Sequence, residues 1–87
     1  METMFRVTFI SNKGTTHYDS ALCPSRIDDP RQFAKWRAHR GLSQVREYVC
    51  AQVTEFDPEN LEGHVINVAT YNRAYFAEYP QQQPENY

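Results

Sequence analysis

The chain is poor in the residues that usually announce a chemistry. Its 87 residues include only two cysteines, Cys23 and Cys50, and three glycines. Two cysteines without a C-x-x-C spacing exclude a disulfide-built scaffold and offer no paired zinc ligands, so two free thiols in a reducing cytoplasm are expected. Gly14, Gly41 and Gly63 stand apart, which excludes a glycine-rich phosphate loop. The longest uncharged stretch, 63–72, has about half the roughly 20 apolar residues of a membrane span and contains His64 and two asparagines. The opening residues lack the charged lead and apolar block of a signal peptide. His17, His39 and His64 are dispersed, and none stands at a motif spacing from a Ser, Cys or carboxylate that could act with it as nucleophile and base. A non-enzymatic protein without metal or cofactor is therefore expected.

Aromatics are what the chain has in quantity, with six Tyr, five Phe and the single Trp36. A chain this short closes one modest core, and large rings are an economical way to fill it. Residues 1–79 are expected to form that one domain, and 80–87, a Gln- and Pro-rich run with no period, a flexible polar tail.

Period-two patterning marks the strands. In 4–10, Phe5, Val7 and Phe9 alternate with Arg6 and Thr8, Asn12-Lys13-Gly14 is a turn, and 15–22 returns with Thr16, Tyr18 and Leu22. Cys23-Pro24-Ser25 then breaks the hairpin, because Pro24 has no ladder donor. The segment 45–56 is ambiguous in period, but its β-branched and aromatic content favours a strand, with Glu47 as an intruder on its apolar face. A turn from Asp57-Pro58-Glu59-Asn60 to Gly63 leads to a strand over 64–70, giving a second hairpin. The fold class expected is α+β, an antiparallel sheet of about four strands in the order ββαββ with one amphipathic helix packed on a face.

That helix is expected over 29–41. Asp29 suits the N-cap, Pro30 the first turn, Gln32 a variant capping box, Ile27 a staple onto Phe33, and Gly41 the stop. Phe33 and Trp36 share a face, with Ala34 and Ala38 at its edge. Arg31, Lys35 and His39 run along the opposite face, while Arg37 and Arg40 lie on the aromatic side. Lys35, Arg37 and Arg40 would also complement the helix dipole.

Charge is unevenly distributed although the net is only −2. From Arg26 to Arg46, six Lys or Arg oppose Asp28 and Asp29; beyond, one Arg opposes seven acids. Such polarity suits orientation on a partner. Arg and Tyr are common interface anchors, so Arg31, Lys35, Arg37, His39, Arg40, Arg46, Tyr71, Tyr75 and Tyr79 are the candidate partner-binding residues, the tyrosines forming one stripe if 71–79 is helical. The reading is a protein-binding module that modulates or inhibits a larger macromolecular machine, in the size and style of phage and mobile-element accessory proteins. The alternative is nucleic-acid binding through the basic helix 30–40. Exposed strand edges leave a homodimer open.

Overall fold

The computed structural model describes residues 4–22, 29–57 and 65–84, with Ser20, Ala21 and Leu22 described in backbone only. The Cys23-Pro24-Ser25 break, the Ile27 staple, the centre of the 57–63 turn, His64 and the last residues of the tail lie outside the described residues.

Gly14 sets the first turn with φ +81°, a left-handed geometry that glycine adopts without steric cost. The Ser11 hydroxyl completes it by accepting from the Lys13 and Thr15 amides, each at 3.2 Å. Strands β1 (Met4–Ser11) and β2 (Thr16–Leu22) pair antiparallel on either side. Helix α1 (Pro30–Gln44) follows, then β3 (Tyr48–Phe56), β4 (Val65–Asn72) and the short α2 (Arg73–Glu78). The four strands form one antiparallel sheet in the order β2-β1-β3-β4, the expected α+β architecture with one main helix.

Alternation divides the sheet into two faces. Phe5, Val7 and Phe9 of β1 and Ala51 and Val53 of β3 are buried on the helix side, with Phe33, Ala34, Trp36, Ala38 and Leu42 of α1 and Phe76 of α2. Among the described residues this cluster is the core.

Three local expectations change. Gly41 does not stop α1. The helix runs one turn further and ends at Val45, whose amide donates to the Gly41 carbonyl at 3.0 Å. Glycine is needed at 41 because the ring of Phe9 lies against its α-carbon, where a side chain would collide. With the helix longer, no basic residue falls in its last turn, so the dipole account of Lys35, Arg37 and Arg40 fails. Glu47 is no intruder in β3, since it precedes the strand and its carbonyl accepts from Asn12 at 2.8 Å. A bulge then leaves Val49 out of the ladder, because Ile10 pairs with Cys50 and Ser11 with Tyr48.

The segment 71–79 is not one helix. Tyr71 pairs with Ala51 and Asn72 with Cys50 at the end of β4, and Asn72 also caps α2 by accepting from the Tyr75 amide at 2.8 Å. Rings still touch across the junction, with centroids 5.0 Å apart for Tyr71 and Tyr75 and 5.1 Å for Tyr75 and Tyr79.

Candidate interaction surfaces

Several basic residues of α1 engage the protein's own groups, Arg31 from a side chain that stays 67% exposed. Arg37 is ion-paired with Asp19 of β2, and its guanidinium lies 5.9 Å from the Phe33 ring centroid. Arg31 pairs with Glu55 of β3 at 3.1 Å. Lys35 donates to the Tyr75 hydroxyl at 3.1 Å and stands over the Tyr71 and Tyr75 rings, 5.6 Å from each centroid. The Tyr75 hydroxyl, accepting from the ammonium, holds the Lys35 pKa above its ordinary 10.5.

His39 stacks on Phe76 at 4.9 Å, and its Nδ1 accepts from the Gln81 amide at 3.0 Å. The Gln32 side-chain amide also donates to Gln81. The row Arg31, Lys35, His39, expected to face outward, is thus partly covered. Rings of β4 and α2 and the start of the tail lie across Lys35 and His39, which are half-buried. Arg40, over the Trp36 ring at 5.6 Å, and Arg46 remain exposed.

Three of the candidate residues, Arg31, Lys35 and Tyr71, line one cleft of about 450 Å³ between α1 and the sheet. Phe5 and Val53 are also in its lining, and Glu55 answers Arg31 within it. Neither His nor Cys is among its described lining residues. Of the tyrosines, Tyr71 and Tyr75 are half-buried against the core and Tyr79 is exposed.

The electrical division of the sequence therefore becomes, in space, partly a set of internal pairs. Cations of α1 meet acids of β2 and β3, at the margin of the apolar core that joins the helix to the sheet.

A different surface lies on the opposite side. The register places Arg6, Thr8 and Ile10 of β1 beside Thr16 and Tyr18 of β2, Cys50, Gln52, Thr54 and Phe56 of β3, and Val68 and Thr70 of β4, on the face away from α1. No described segment covers this face. Thr8 and Thr54 are nevertheless buried, Thr8 flanked in register by Tyr18 and Gln52 and Thr54 by Arg6 and Val68. Tyr18 is 60% exposed and Val68 49%.

At the centre, the Arg6 guanidinium lies between two rings, 5.8 Å from the Tyr18 centroid and 5.1 Å from that of Phe56. Arg6 makes no ion pair with a described residue. The described residues of this face include no carboxylate. Arg6 is the one charge among those described residues.

Sequence reasoning missed this cluster, because Arg6, Tyr18 and Phe56 come from three separate strands. Only the register brings them together, and their spacing in the chain carries no signal beyond the alternation in 4–10. Among the described residues no three His, Cys, Asp or Glu gather as metal ligands, and no helix is long and apolar enough to cross a membrane. The chain matches no family model, no curated protein and no solved structure, so the chemistry of these surfaces alone carries the functional reading.

Proposed function

We propose that the protein is a small non-enzymatic binding module that modulates or inhibits a larger macromolecular assembly by occupying one of its protein surfaces, with the sheet face away from α1 as the docking surface. One observation supports this above the others: an Arg6 with no ion pair among the described residues, held between Tyr18 and Phe56 on a face whose described residues carry no acid. Rings that flank the guanidinium reduce its freedom before binding, so less conformational entropy is lost on contact. Arg and Tyr in such a setting are the residue types that dominate interface energetics. The partner surface that fits carries a carboxylate for Arg6, ringed by apolar groups for Tyr18, Phe56 and Val68.

The basic helix is the weaker candidate. A nucleic-acid backbone laid on it would compete with Asp19 for Arg37 and with Glu55 for Arg31. Flow-through on heparin at about 150 mM salt is expected, and retention there would favour the nucleic-acid reading.

The docking surface is tested by placing a photo-crosslinking residue at Tyr18 in one variant and at Arg40 in another, in lysate of the native host. A defined protein adduct from the Tyr18 site that disappears with Arg6→Glu supports the proposal. An adduct formed only from the Arg40 site, and indifferent to Arg6→Glu, returns the docking surface to α1.

A further inference from the structure

Strand β4 forms one edge of the sheet and contains no charged residue and no proline over its eight residues, VINVATYN. Val65, Ile66 and Val68 are 47%, 50% and 49% exposed. Edge strands usually carry a Lys, a Glu, a proline or a bulge, because an uncharged edge with free N–H and C=O groups accepts another strand. β4 has one such device. Its bulge sets both Val65 and Ile66 against Phe56, which leaves 67–72 regular and, among the described residues, without a strand partner along the outer side. The other edge differs, since β2 carries His17 and Asp19 and begins just after Lys13.

We infer that β4 is a self-association edge, and that two copies of this chain pair antiparallel through it into a continuous eight-stranded sheet. A second copy is the occupant that the sequence of the strand fits. A neutral strand paired antiparallel with itself brings no like charges together, and a two-fold axis within 67–72 brings the exposed Val68 of one copy near Val68 of the other. Because β2 is charged, pairing through β4 leaves no equivalent edge to continue, and assembly closes at two. An antiparallel pair about an axis perpendicular to the sheet puts both α1 helices on one side. The two faces turned away from α1 then adjoin on the other side, and Arg6 occurs twice on one platform.

Sedimentation velocity of the intact chain tests this, together with hydrogen exchange, from about 1 to 200 µM. The expected mass rises from 10.2 kDa toward twice that value. Alternate amides of 67–72, those not bonded to β3, should become protected over the same concentrations. Val68→Lys should weaken the dimer by about tenfold or more, through like charges brought close across the axis, whereas Tyr18→Ala on the β2 side should leave it unchanged. A mass of 10.2 kDa at every concentration overturns the inference. So does a dimer whose β4 amides exchange freely, which would place the contact elsewhere. The exchange measurement is made on the native chain and decides the question even if Val68→Lys fails to fold.

Discussion

The ring of Phe9 in β1 occupies the space that a Cβ on Gly41 of α1 would need. Ala34 and Ala38 lie on the same side of the helix by its periodicity and are fully buried. A stripe of small residues therefore sets how closely α1 approaches the sheet.

Gly41→Ala is expected to destabilise the fold even though alanine is the better helix former. The gain in propensity is at most about 1 kcal/mol, against about 1–3 kcal/mol for overpacking a core. A net loss of about 1–2 kcal/mol would lower Tm by roughly 4–15 °C in a domain of this size. Phe9→Leu should restore part of that loss in the Gly41→Ala background and be destabilising alone, a sign reversal that thermal unfolding of the four proteins would show.

The ion pair of Arg37 and Asp19 should behave as structure. Both side chains are partly exposed, so a double-mutant cycle with Arg37→Ala and Asp19→Ala in urea should give a coupling of about 0.5–1 kcal/mol. Binding to a partner should be as strong for Arg37→Ala as for the native chain, once the protein is shown to be folded.

Asn72 is where β4 becomes α2. Removing its cap with Asn72→Ala should cost about 1 kcal/mol, and Asn72→Asp or Asn72→Ser should retain most of the stability. The effect extends beyond one turn of helix, because α2 carries Phe76 into the core. Loss of near-ultraviolet dichroism from the tyrosine cluster before global unfolding would report local release of α2.

Lys35 links stability to alkaline pH. Its pKa is raised in the folded chain, first by the hydrogen bond to the Tyr75 hydroxyl and against a smaller opposing effect of burial. The folded state thus holds this proton more tightly than the unfolded one. The stabilisation is complete below the ordinary value of 10.5 and is lost as pH rises through the higher folded value. Lys35→Met should flatten the pH dependence of the urea midpoint in that window and leave it unchanged near neutrality.

Much of the fold was legible because local rules agreed with tertiary ones. The alternation of Phe5, Val7 and Phe9, the Gly14 turn and the Asp29 cap with Pro30 each specify their geometry within a few residues. Gly41 shows where such reading ends. A glycine after a helical pattern resembles a stop, and only the position of Phe9, brought over by the sheet, assigns it to close packing. The candidate surface was hardest to see. Arg31 and Arg37 stand out in sequence as cations, but Glu55 and Asp19 that answer them lie on other strands. Arg6 attracts no attention within its strand, and its setting between Tyr18 and Phe56 exists only once three strands are in register.

The order of the strands also bears on how the chain assembles. β1 is synthesised first yet lies inside the sheet, hydrogen-bonded to β2 on one side and to β3 on the other. Its second side must wait for Cys50 to reach Ile10 and Phe56 to reach Met4. Until then the early hairpin presents an apolar strand with an unsatisfied edge, and closing that gap means drawing together distant parts of the chain. Closing the core therefore waits on β3, which lies beyond α1 in the chain, and the N-terminal hairpin with α1 alone cannot complete the sheet.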